Sequence, residues 1–185
     1  TPSLMTFREV ETIFHEFGHG LQHMLTQIDY DDASGINGIE WDAVELPSQF
    51  MENYCWEWEV IEDLSSHHKT GEKLPKAEFD KLLKVKNYNS AMAMVRQLEF
   101  ALFDFRIHMK KGSDKGRSVQ EILNDVRDKI GLAKPKDYNR FQNAFSHIFA
   151  GGYSAGYYSY KWAEVLSSDA FSKFEEDGVF DEKAG

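Results

Sequence analysis

Apolar side chains near the start of the chain recur at steps of three and four. Phe7, Val10, Phe14, Phe17, Leu21 and Leu25 keep this spacing, which predicts one helix over residues 6–25. Thr6 followed by Glu9 supplies a capping box at its start. Residues 29–40 are polar, carry Gly35 and Gly38, and read as a loop. Within it, Gly35 to Trp41 is the one stretch whose alternation would allow a short edge strand or hairpin. The helical period returns with Val44, Phe50, Met51, Tyr54, Cys55, Trp58 and Ile61. It predicts a second helix from about Asp42–Glu45 to Leu64, with Pro47 in the first turn, where a missing N–H costs little.

His67 to Pro75 is turn-rich, and Lys76 to Leu83 is a short helix. Asn89 can cap a long helix to Met109 that turns Met92, Val95, Leu98, Leu102 and Phe105 inward. Ser118 and Glu121 form a second capping box, opening a helix to about Ile130. Asp137 to Phe149 reads as helix, Ala150-Gly151-Gly152 interrupts it, and Tyr153 to Phe174 is mostly helical again. No internal repeat is visible. The expected class is mostly α.

With 185 residues, 42% of them hydrophobic and 14% aromatic, the chain can bury a sizeable core and is not disordered by composition. Its 31 acids against 21 bases give a formal charge of −10, which argues against a nucleic-acid partner. Lys110, Lys111, Lys115 and Arg117 are read as a solvated helix junction. The single cysteine, Cys55, rules out an internal disulfide and has the apolar neighbours of a buried thiol. No apolar stretch reaches the roughly 20 residues of a membrane span, so no membrane partner is expected and cytoplasm is the expected address. A removed targeting segment would allow an organelle instead. Thr1-Pro2-Ser3 runs almost directly into a helix, and Gly185 follows an acidic stretch without a terminal element. The expectation is a single catalytic core, 1–185, cut from something longer.

Against this background His15-Glu16-Phe17-Gly18-His19 stands out. On a helix the two histidines share a face one turn apart, where both can reach one ion, and Glu16 lies beside them without having to ligate it. Two helix histidines, one packed and one exposed, would give the same string. A catalytic zinc wants a third protein ligand and an open position for water. From His19 to Glu45 there is enough chain to return antiparallel, and Glu45, Gln49 and Glu52 share one face of the second helix. Glu45 is the expected third ligand. Glu52 is the expected carboxylate behind a ligating histidine, with Asp42 a weaker candidate. Gly18 and Gly20 cost helix propensity, tolerable where another backbone must come close. Tyr153, Tyr157 and Tyr160, at steps of four and three, would share a helix face; they read equally as an amphipathic wall or as a functional one. Tyr158 would point away from that face and pack.

His15–His19, the segment Trp41-Asp42-Ala43-Val44-Glu45-Leu46-Pro47-Ser48-Gln49-Phe50-Met51-Glu52-Asn53-Tyr54, and Gly152-Tyr153-Ser154-Ala155-Gly156-Tyr157-Tyr158-Ser159-Tyr160-Lys161-Trp162 together resemble the catalytic region of the thimet oligopeptidase family of zinc metallopeptidases. The resemblance runs over essentially the whole chain; Gln22 departs from it, where the family commonly has histidine. It implies a zincin-like helical core with one zinc ion held by His15, His19 and Glu45. Glu16 would be the catalytic carboxylate, acting on short unfolded peptides. It also implies Tyr160 and Tyr153 in substrate and oxyanion contact, Tyr157 on the same wall and His147 as a further donor. Gly35 and Gly38 would belong to a flexible loop over the cleft. The parent would be a longer, monomeric two-domain peptidase whose remainder supplies the opposite channel wall. Three alternatives stay open: a non-catalytic zinc-stabilised helical module, a metal-free helical interaction protein using its aromatic face, and a segment that is inactive without that wall.

Overall fold

The computed structural model describes residues 2–109 and 112–184; Lys110 and Lys111 of the expected helix junction lie outside them. Seven α-helices form among the described residues: α1 Phe7–Met24, α2 Leu46–Glu52, α3 Trp58–Leu64, α4 Lys76–Val85, α5 Ser90–Met109, α6 Val119–Ile130 and α7 Ser159–Asp177. The mostly α class is borne out. The edge strand expected near 35–41 is not there: Gly35–Gly38 and Trp41–Ala43 are 3₁₀ turns. Gly35 takes a positive φ of 53°, which tightens the chain into a turn where a strand would need extended backbone.

The chain divides into two compact units: residues up to Tyr88 together with those from Trp162 onward, and the continuous stretch Asn89–Lys161. In the first, α1 opens with the expected capping box, Thr6 and Glu9 satisfying each other's backbone N–H. Its tight partner is α2. A Cβ on the buried Gly18 would overlap the carbonyl oxygen of Pro47 and the Cα of Ser48, so glycine is what lets the two backbones touch.

The expected continuous second helix is broken. Asn53 turns its side-chain amide back onto the carbonyls of Gln49 and Phe50 at 3.3 and 3.0 Å, spending the acceptors that a longer helix would need. A 3₁₀ turn, Asn53–Trp56, follows, and Glu57 is extended (φ −95°, ψ 129°) before α3 begins. Phe50 and Tyr54 pack edge-on against Phe171 of α7, with ring centroids 5.7 and 5.5 Å apart, and Asn53 donates to Ser167 at 3.2 Å.

The core of the second unit is formed by Phe103 and Ile107 of α5, Ile122, Leu123 and Val126 of α6, and Phe145, Ile148 and Tyr157 from the following turns. The expected inward face of α5 is corrected. Met92, Leu98, Leu102 and Phe105 are exposed, whereas Glu99, Phe103, Asp104 and Ile107 are buried. The helix is apolar on several sides, so its two buried acids decide which face turns in. Glu99 pairs with Arg127 of α6 at 3.0 Å, and Asp104 accepts backbone N–H groups of the segment before α7.

Asp137–Phe149 is not α-helical but two 3₁₀ turns, Phe141–Asn143 and Ser146–Ile148. Asn139 Oδ1 takes the N–H of Phe141, while three N–H groups, of Phe149, Ala150 and Gly151, converge on the Ser146 carbonyl. α6 carries the second expected capping box, Ser118 with Glu121. Arg117 of the expected solvated junction is engaged by Asp114 at 3.1 Å.

Candidate metal centre

His15 and His19 lie one turn apart on α1, their rings 5.0 Å apart and nearly perpendicular. Glu45 is the N-cap residue of α2, with φ −86° and ψ 0°, and its side chain does not cap the helix. Its buried carboxylate faces α1 instead. Oε2 lies 3.2 Å from Nε2 of His15 and 3.3 Å from Nε2 of His19. One donor atom from each residue falls within 4.8 Å of the other two, and this is the one such group found among the described residues. Two half-buried imidazoles and a buried carboxylate, with their donor atoms this close together, suit a single zinc ion with a position to spare.

The packing behind this set fixes its chemistry. His15 Nδ1 is 2.6 Å from Oε1 of Glu52, so an N–H there donates to the carboxylate and leaves Nε2 for a metal. Glu52 is the acid on that nitrogen, as expected of it; Asp42 lies in the 3₁₀ turn Trp41–Ala43. Hydrogen bonding to Glu45 first, and to Glu52 second, holds the His15 imidazolium well above its ordinary range, up to about 9, against the opposing effect of burial. Ser48, which sequence reasoning passed over, donates its hydroxyl to Glu45 Oε2 at 2.8 Å and to the Glu45 carbonyl at 3.0 Å. Its signal was available: it lies one turn after Glu45 in the same short helix.

Glu16 follows His15 on α1 and is exposed, outside the three-residue donor group. Gly35 is buried against His23, leaving Gly38 as the exposed glycine of that loop. Cys55 is fully buried, which pushes its thiol up to about 12 and removes it as a nucleophile.

The second unit gathers the other expected residues. Tyr153 and Tyr157 do not share a helix with Tyr160, because α7 starts at Ser159 and the preceding residues are turns. The three rings meet nonetheless. Tyr153 stacks on Tyr160 at 5.0 Å, and Tyr157 lies 5.1 Å from Tyr160. His147 is exposed and central to the group, 6.3, 6.1 and 6.4 Å from Tyr153, Tyr157 and Tyr160. Tyr157 is buried and its hydroxyl donates to Gln97 at 2.9 Å, so it builds the wall more than it faces outward. Tyr158 turns away and stacks on Phe105, as expected.

Fold and site together define a helical protein with a His-Glu-x-x-His centre completed by a glutamate from the next helix. Residues 1–185 match the sequence profile of Peptidase family M3, and the chain belongs to that family. It is 56% identical over 184 residues to oligopeptidase A of Haemophilus influenzae, covering 100% of this chain and 27% of that protein. It is 53% identical over 183 residues to the probable cytosolic oligopeptidase A of Arabidopsis thaliana, covering 99% of this chain and 26% of that protein. The organellar oligopeptidase A, chloroplastic/mitochondrial, of the same plant is also 53% identical over 183 residues, covering 99% of this chain and 23% of the relative. The chain thus spans about a quarter of the length of these curated relatives. No helix among the described residues is long and apolar enough to cross a membrane.

Proposed function

We propose that the chain carries the zinc centre of an endopeptidase that hydrolyses internal bonds of short unfolded peptides. The observation that carries this reading is the meeting of His15, His19 and Glu45, with Glu52 holding His15 from behind. A zinc ion held by His15, His19 and Glu45 would polarise the scissile carbonyl and make a water acidic enough to attack it near neutral pH. Glu16 takes a proton from the attacking water and returns it to the leaving amine. Ser48 donates its hydroxyl to the Glu45 carboxylate, which lies beside both imidazoles, and Glu52 keeps the His15 ring in one orientation. Tyr160 and Tyr153 donate phenolic hydrogen bonds to the oxyanion and the peptide, His147 adds an imidazole N–H, and Tyr157 backs them.

The names of the relatives support the substrate class and two addresses, cytosol or organelle. Cytosol is the proposed one, for a monomeric full-length protein. The test is cleavage of a quenched peptide by the full-length protein and its Glu16→Gln variant. Zinc content should be unchanged and kcat should fall by about 10²–10⁴-fold. Unchanged turnover would sink the mechanism. A second reading rests on length: the chain spans 27% of the H. influenzae relative, so the isolated segment would bind zinc yet turn over peptides slowly without the opposite channel wall.

A further inference from the structure

Asp104 stands in the middle of α5 among apolar residues, is fully buried, and has no part in the reaction proposed above. Both of its carboxylate oxygens are engaged by the segment that bears the tyrosines. Oδ1 accepts the N–H of Ala155 and Oδ2 the N–H of Tyr157, each at 2.9 Å. His108, one turn further along α5, brings Nδ1 to 2.8 Å from Oδ1. Ala155 is held at φ +56°, a left-handed conformation that a residue with a Cβ adopts only when its surroundings impose it. A buried carboxylate straddling Gly156, with an N–H on each side, is such an imposition. Ser154 ties the same turn down through its hydroxyl, donating to the Ile148 carbonyl at 2.7 Å.

What the turn delivers is the meeting of the three rings. Tyr153 and Tyr157 lie on either side of the strained residue, outside α7, so helical geometry does not set their positions relative to Tyr160. We infer that Asp104 is a positioning residue for the tyrosine wall: its carboxylate fixes the Ala155–Tyr157 backbone and thereby aims Tyr153 and Tyr157 at Tyr160. The inference rests on the reading that this wall meets the substrate. An asparagine in its place keeps the shape but offers one oxygen and an NH₂, so one of the two backbone N–H groups loses its acceptor.

The test uses the full-length, zinc-loaded protein. Asp104→Asn should raise amide exchange at Ala155 and Tyr157 by roughly tenfold or more, since opening that turn then breaks one fewer hydrogen bond. Its kcat per bound zinc should fall by roughly tenfold with KM changed less than about threefold, as for lost transition-state contacts rather than lost binding. The double variant with Tyr160→Phe should be no slower than the slower single by more than about twofold, since both act through one wall. If Asp104→Asn does not fold, combining it with Ala155→Gly lets the turn keep its positive φ without the carboxylate, and the same three measurements apply. Unchanged exchange at the two amides, or effects that multiply with those of Tyr160→Phe, overturn this inference alone. A silent Tyr160→Phe overturns the wall's role and, with it, any need for aiming.

Discussion

Loading the His15–His19–Glu45 set with zinc at pH 7 should expel close to one proton, and it should come from His15. In the metal-free protein the two carboxylates hold His15 protonated up to about pH 9, while a metal needs its Nε2 deprotonated. At pH 7 only on the order of 1% of the metal-free protein has that nitrogen ready, so apparent zinc affinity is on the order of a hundredfold below its high-pH limit. Affinity should therefore rise about tenfold per pH unit from 6.5 to 8 on account of His15. The stability of the metal-free protein runs the other way. A folded-state value raised above 6.5 contributes stability that is complete below about pH 6.5 and is lost as pH climbs through about 9. Calorimetric zinc titration of the full-length, metal-stripped protein in buffers of different ionisation enthalpy counts the protons, and chelator competition gives the affinity slope. Glu52→Gln should lower the midpoint of the release without abolishing it, because Glu45 is the larger influence. A release indistinguishable from zero at pH 7, with affinity flat between 6.5 and 8, would refute the reasoning.

The contact between α1 and α2 gives a second test. Gly18→Ala should cost about 3 kcal/mol in urea unfolding, the upper part of the overpacking range, because the new methyl meets backbone that cannot rotate away. It should also weaken zinc binding, as it displaces the segment bearing Glu45; full zinc affinity at native stability would contradict this. Cys55, with its thiol pushed up to about 12, should resist alkylation at pH 8 in the folded protein and react promptly in urea. Equal rates in the two states would show that the thiol is not buried as described.

The parts of the fold that were legible in the sequence are those decided within one or two turns of chain. The capping boxes at Thr6 and Ser118 fix the starts of α1 and α6 wherever those helices pack. The meeting of His15, His19, Glu45 and Glu52 was legible for a related reason: they lie on two neighbouring helices, α1 and α2 with its N-cap, so few residues separate them in the chain. What could not be read depends on partners distant in sequence. The face that α5 buries is chosen by Glu99 meeting Arg127, 28 residues away, and by Asp104 meeting Ala155 and Tyr157, 51 and 53 residues away. The break after Asn53 is likewise a side-chain choice, an amide turning back on its own helix, that propensity does not register. The tyrosines were grouped for the wrong reason: a turn, not a helix face, brings them together.

The division into units has a consequence for the order in which the protein is built. Asn89–Lys161 is one uninterrupted stretch, whereas the unit bearing His15, His19 and Glu45 is split around it and needs residues from Trp162 onward. Chains emerge from the ribosome N-terminal end first, at about 5–20 residues per second. The histidines and Glu45 therefore exist for several seconds before Ser167 and Phe171, which pack against Asn53 and Phe50, have been made. Between the emergence of Lys161 and that of Asp177 the later-starting unit has all of its sequence and the earlier one does not. The second unit can complete its core first, and the helix pair bearing His15, His19 and Glu45 gains its supporting layer only when α7 is finished.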